Sequence, residues 1–247
     1  MSCRAHDVLL EVDTIAGYTT YIDLIKPLIK NQKIISTPMK KEVERVEAAI
    51  ERAIEGKSCA LISSGDPGVY AMAGLVFEIC KAKKIKISPF NSDLDNTSIK
   101  PSLLVEVIPG IPALCSGASL LGAPLTHDFA AISLSDLLTP WDVIEKRLEA
   151  AAKADFVVVL YNPKSKKRNR QIEKAQEIML KYRDTKTPVG IVTSAMRTEQ
   201  KVFIITLDNL HNAHVNMQST VFIGNSSSTT YLDFMLTPRG YLSKYNV

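Results

Sequence analysis

Residues 156–161, Phe-Val-Val-Val-Leu-Tyr, form an apolar run closed by a tyrosine and an Asn-Pro pair. A strand of this composition hides both of its faces, the condition of a central strand in a sheet covered by helices on both sides. Amphipathic stretches flank it, one ending near Lys153 and one over 170–182. That alternation points to α/β layers rather than a helical bundle or a β-sandwich.

The same rhythm extends along the chain. Strands are expected at 13–17, 59–63, 103–108, 130–134 and 189–192, and helices at 21–29, 40–55, 70–82 and 139–153. In the 40–55 helix, Val43, Val46, Ile50 and Ile54 line one face and Gly56 provides the stop. Thr139 reads as the N-cap of its helix, Pro140 as the first helical residue and Asp142 as the acid completing the cap. Two late β runs, 201–206 and 219–224, have no convincing helix between them and read as an antiparallel sheet edge. The Pro/Gly-rich stretch 109–124 marks the break between two α/β domains, 1–122 and 123–247, packed around a cleft; 91–101 reads as a surface loop.

Composition excludes several classes. Of 247 residues, 46% are hydrophobic and 23% charged, as in an ordinary globular protein. The net charge of +4 suits an anionic small substrate, while 6% aromatics with no basic–aromatic interleaving speak against nucleic acid. The longest apolar stretch is broken by Pro109, Pro112 and Pro124, so it is no membrane span. No signal peptide opens the chain and the four cysteines form no C-x-x-C pair, which implies a reducing cytoplasm. His211 and His214 lack the further ligands that a zinc site needs, so no metal is expected. There is no G-x-G-x-x-G, Walker A or G-x-S-x-G motif.

Candidate chemistry sits at strand ends. After the 59–63 strand comes Gly65-Asp66-Pro67-Gly68, where glycines let a ligand approach the backbone and Asp66 offers a carboxylate to a hydroxyl or amino group. The same sequence also describes a plain surface turn. Tyr161, Asn162 and Pro163 close the apolar strand and are followed by Lys164, Lys166, Lys167, Arg168 and Arg170. Such a run is either a solvated face or a clamp for a polycarboxylate. In 109–129, the small residues Ala113, Ser116, Gly117, Ala118 and Ser119 suit close helix packing or a flat cofactor. His127 and Asp128, an adjacent His–acid pair, end that segment.

Taken in order, these segments resemble the tetrapyrrole methylase family, which moves a methyl group from S-adenosylmethionine to a carbon of a porphyrin-like ring. The matching motifs are Gly65-Asp66-Pro67, Pro109-Gly110 and the Pro-Leu-Thr-His stretch ending at His127. The stretches "HDFAAISLSDLLTPW", "LYNPKSKKR", "IGNSSST" and "TPRGY" are similar to its cobalamin-pathway branch that methylates C-17 of precorrin-3 with ring contraction. The resemblance covers nearly the whole chain. It implies two α/β domains with the cofactor bent between them, and a homodimer. It also implies cofactor contacts at Gly65, Asp66, Pro67, Tyr70, Pro112, Ala113, Asn162, Ala195 and Met196. Two departures stand out. Pro112 replaces a small polar residue and removes a backbone donor. Family members also open with an apolar strand and a Gly-x-Gly-Pro-Gly turn, whereas Met1 to Ala5 already matches the helix that follows. Either the sequence begins at an internal methionine or the chain lacks a central strand; the first is favoured, and little turnover is then expected from residues 1–247 alone.

Methyl transfer from a sulfonium to a ring carbon is an in-line displacement that needs alignment and water exclusion, not a nucleophilic side chain or a metal. Ring contraction adds proton transfers, for which His127 leads, followed by Tyr161 and Asp128. Lys164, Arg168 and Arg239 are expected to meet substrate carboxylates, on cobalt-bearing or metal-free rings alike. The competing readings are methylation of another ring carbon and a tetrapyrrole-binding relative without turnover.

Overall fold

The first unit, Met1–Pro112, is built on a parallel sheet. The computed structural model describes residues 1–90, 103–165 and 169–245, so the 91–101 loop lies outside the described residues. Helix α1 (Cys3–Glu11) starts at Ser2, whose hydroxyl accepts the Ala5 N–H and donates to the Pro109 carbonyl at 2.9 Å. Strand β1 (Thr14–Tyr18) lies between β2 (Lys33–Thr37) and β3 (Cys59–Ile62), all parallel. Helix α2 (Thr19–Ile25) runs into a 3₁₀ turn at Lys26–Leu28. Helices α3 (Glu42–Ile54) and α4 (Ala73–Ala82) follow β2 and β3, and β4 (Ile87–Pro89) pairs in parallel with β5 (Leu103–Val105) as a separate ribbon.

Local chemistry explains several departures from the sequence expectation. β2 was not expected: only Ile34 and Ile35 are apolar, as suits a largely exposed edge strand. The α3 face is rotated. Val46 and Ile50 are buried but Val43 and Ile54 are 51% and 55% exposed, while Arg45 turns inward. The Arg45 Nε donates to Thr37 Oγ1 at 2.7 Å and its Nη2 to the Pro38 carbonyl at 3.1 Å, with the guanidinium over the Tyr18 ring. Gly56 ends α3 at φ +81°, a left-handed cap that costs glycine nothing. Helix α4 begins at Ala73, not near Tyr70, because the turn after β3 persists: the Val69 N–H reaches the Asp66 carbonyl and the Ala73 N–H the Pro67 carbonyl.

The second unit, Ala113–Val247, starts ahead of the boundary read after residue 122, because α5 (Ala113–Leu121) packs on its sheet. The five-stranded sheet has the order β10-β9-β11-β8-β7. Its strands are β7 (Phe129–Ser133), β8 (Val157–Tyr161), β9 (Pro188–Thr193), β10 (Lys201–Thr206) and β11 (Ser219–Ile223), with β10 and β11 antiparallel to their neighbours. The two late strands therefore do not form one edge. β10 is the edge, but fully buried β11 inserts between β9 and β8. Helices α6 (Trp141–Lys153) and α7 (Gln171–Leu180) cover one face. Pro140, not Thr139, holds the N-cap position of α6, with no side-chain cap. A small sheet joins β6 (Gly122–Ala123), β12 (Thr229–Tyr231) and β13 (Phe234–Leu236), a 3₁₀ turn covers Leu207–Asn212, and α8 (Tyr241–Tyr245) follows.

Strand periodicity divides the core. Val158, Leu160, Val189, Ile191, Val221 and Ile223 face α6 and α7, whereas Val159, Val192 and Phe222 face α5. Gly190 pairs with Phe222 across the strands; a Cβ there would lie 2.4 Å from Leu121 Cδ1 of α5. In turn, a Cβ on Gly117 of α5 would lie 2.7 Å from the Phe222 ring. At the sheet end nearest residue 155, buried Arg183 donates to the Ala152 and Phe156 carbonyls and pairs with Asp155 at 3.0 Å. Asp155 also accepts from the Ser226 N–H and hydroxyl. Burial raises the thiol pKa of Cys59 to about 11 and lifts that of Cys80, while Cys3 and Cys115 are exposed. Among the described residues, no helix is long and apolar enough to cross a membrane, and no group of His, Cys, Asp and Glu is placed to hold a metal.

Two predictions follow from this packing. Gly190→Ala should destabilise the protein by about 1–3 kcal/mol in urea titrations, through overpacking against Leu121. In a Leu121→Ala background the same change should cost less; simple additivity would show that the two sites are uncoupled. The second concerns Asp13, whose carboxylate accepts the Ser58 N–H and hydroxyl at 2.9 Å, tying the starts of β1 and β3. Those bonds lower its pKa below 3.8. Their stabilisation is therefore present above that value and is lost as pH falls through the lower folded pKa. The stability gap between the parent and Asp13→Asn should close as pH drops through the carboxylate range.

Candidate functional site

The Gly65–Gly68 turn is fastened by its own acid. Asp66 Oδ1 accepts the Gly68 N–H at 2.8 Å and Oδ2 accepts the Gly110 N–H at 2.9 Å. Gly65 sits at φ +78°, and a Cβ on Gly110 would meet the Gly65 carbonyl oxygen at 2.0 Å, so backbone lies directly on backbone. Asp66 thus holds main-chain amides of its own unit and joins two motifs that are 44 residues apart. Tyr70 stands beside the turn at φ +52° and is 53% exposed.

In the second unit, the expected residues collect where β8 and β9 end. Asn162 follows β8 at φ +53°, and its Nδ2 donates to Ser133 Oγ at 3.0 Å. Past β9, Ser194 and Met196 take φ +52° and +58°, on either side of Ala195. The Ser194 hydroxyl donates to Gln218 Oε1 at 2.8 Å and the Met196 N–H to Gln200 Oε1 at 2.8 Å. Elsewhere, Lys84 and Asp155 end helices, Leu232 turns the β12–β13 hairpin and Lys40 lies in the turn that leads into α3. At Asn162, Ser194 and Met196 the strain falls on strand ends instead, the kind of outlier that marks a binding site. Tyr161, the last residue of β8, accepts the Leu114 N–H on its hydroxyl at 2.8 Å, which brings the start of α5, next to Pro112 and Ala113, to the same end. Lys164 follows in the loop; Arg168 lies outside the described residues.

His127 and Asp128 are not part of this group. They precede β7, which is parallel to β8 with Phe129 opposite Val157 and Ser133 opposite Tyr161. At about 3.3 Å per residue, the pair stands roughly 17–20 Å from the Tyr161 end of the sheet. His127 Nδ1 accepts the Asp128 N–H at 2.8 Å, and both side chains are open to solvent. Exposed Arg239 follows Thr237, whose carbonyl accepts the Thr126 hydroxyl, so it too belongs with that end.

Sequence reading missed the supports: Ser133 under Asn162, Gln218 and Gln200 under the 194–196 turn, and the Leu114 amide. The one available signal was a polar residue at the mouth of an apolar strand, as at Ser133 and Gln218.

The chain is similar to known proteins over nearly its whole length. The chain is 52% identical over 244 residues to a protein named cobalt-factor III methyltransferase from Priestia megaterium, covering 99% of this chain but only 43% of that protein. It is 42% identical over 241 residues to a probable cobalt-factor III C(17)-methyltransferase of Salmonella typhimurium, covering 98% of this chain and 93% of that one. Among solved structures, the methyltransferase CobJ superposes with a TM-score of 0.81 at 32% identity, over 96% of this chain and 93% of CobJ. A model of the tetrapyrrole (corrin/porphyrin) methylases matches residues 1–211. With that family model matching residues 1–211 and a relative 42% identical over 93% of its own length, the chain belongs to the tetrapyrrole (corrin/porphyrin) methylases.

Proposed function

We propose that this chain is an S-adenosylmethionine-dependent methyltransferase acting at C-17 of a cobalt-factor III or precorrin-3 type ring in cobalamin biosynthesis, with contraction of the macrocycle. The observation that carries the reading is the match to the Salmonella typhimurium relative, which this chain covers over 93% of its length. The relatives' names favour a cobalt-bearing substrate over a metal-free one.

The residues at the strand ends fit the cofactor. Ala113 and Ala195 are small, and Asn162 and Met196 place left-handed turns at the ends of their strands. The Gly65-Asp66-Pro67 loop offers a backbone surface without side-chain bulk, and Tyr70 an exposed ring. Bound there, S-adenosylmethionine would supply an electrophilic methyl group on a sulfonium. The protein's contribution is alignment and exclusion of water. Lys164 and Arg168 are assigned to acidic arms of the ring, and Arg239, which lies at the His127 end of the sheet, is not. His127 and Asp128, at the far end of the sheet, are given no proton transfer at the cofactor. The reading includes a homodimer working in the cytoplasm.

Incubation of the full-length protein with S-adenosylmethionine and a cobalt-bearing ring should yield a product heavier by one methyl group. Absence of that product, together with no heat on titrating S-adenosylhomocysteine, would overturn the reading. Gly110→Ala should weaken S-adenosylhomocysteine binding by about tenfold or more in calorimetry, because its Cβ would push the Gly65 carbonyl aside. Unchanged affinity would remove the loop from the cofactor site.

A further inference from the structure

We infer that Tyr161 is a positioning residue: its hydroxyl clamps the first turn of α5 to the end of β8 and so sets the spacing between the Ala113 and Asn162 parts of the cofactor site. The inference rests on the methyl-transfer reading above and adds a role for a residue otherwise expected to carry protons.

The first four N–H groups of a helix have no partner within it. A serine, threonine, asparagine or aspartate just before the helix commonly supplies one. Before α5 stands Pro112, which has no side-chain oxygen to offer. The Leu114 N–H instead donates at 2.8 Å to Tyr161 Oη, 47 residues away. The Tyr161 ring and the Leu114 side chain pack in one apolar cluster with Leu121, Val159, Val192 and Phe222. A rigid ring seated in that cluster holds its oxygen at a fixed point with little entropic cost. On the other side, Tyr161 leads directly into Asn162 at φ +53°, itself held by Ser133. A single hydroxyl therefore ties two expected cofactor contacts together. Phenylalanine would fill the same space but leave the Leu114 N–H uncapped.

The experiment compares the parent with Tyr161→Phe by amide exchange in the ligand-free protein, calorimetry with S-adenosylhomocysteine, and the pH profile of methyl transfer. Exchange at the Leu114 amide should speed up about fivefold or more, and S-adenosylhomocysteine affinity should fall by about fivefold, the effect of one lost hydrogen bond. The pH profile should keep its shape. In a Leu114→Pro background, where proline is tolerated in the first helical turn and the donor is absent, Tyr161→Phe should cost no further affinity. Unchanged exchange or unchanged affinity overturns the inference. Loss of one limb of the pH profile with affinity intact also overturns it, and makes Tyr161 a proton carrier. A parent chain that gives no heat with S-adenosylhomocysteine overturns the methyl-transfer reading and the cofactor half of this inference, while the exchange comparison still decides the clamp.

Discussion

The close seating of α5 on the five-stranded sheet governs the second unit. Two glycines permit it from opposite sides: Gly190 clears space for Leu121, and Gly117 for the Phe222 ring. Burial at this contact is nearly complete, with Leu121, Val159 and Phe222 all at 0% exposure. Close-packed interiors tolerate little change in volume, so the helix has one resting place. Its first turn is then fixed beside β8, and the strand-end backbone at 162 and 194–196 inherits that geometry.

The two ends of this sheet are built differently. One is braced by side chains: Arg183 and Asp155 join strand starts to the 224–228 loop, and Asn225 Oδ1 accepts from Ser227 and Ser228. This accounts for the "IGNSSST" stretch as a scaffold. Burial lowers the Arg183 pKa and Asp155 opposes that shift, as for a cation that needs its partner. The other end is shaped by main chain, with left-handed turns supported from beneath by Ser133, Gln200 and Gln218. Rigidity at one end leaves the other free to carry strained turns.

Much of the fold was legible in the sequence because periodicity reports burial directly. The all-apolar β8, the edge strand β10 and the helix that became α7 were each within two residues of expectation. What escaped was non-local. Nothing in 219–223 says that this strand inserts between β8 and β9, since partner choice depends on segments far apart in sequence. The rotation of α3 toward Arg45 depends on acceptors at Thr37 and Pro38 that only folding brings near. For the site, the turn residues at 65–68 and 162 were visible from composition, but the end of the sheet on which each group lies was not. His127 and Asp128 follow the other candidates in a linear reading, and the direction of β7 sets them at the opposite end of the sheet from Tyr161 and Asn162.

The cysteines described above are sorted by burial. Cys59, with its pKa near 11, stays protonated at neutral pH, and Cys80 is enclosed. Cys3 and Cys115 remain open, one in each unit. Maleimide reagents would therefore attach a fluorophore to each unit of the native polypeptide without any engineered residue, leaving the thiols of Cys59 and Cys80 unlabelled.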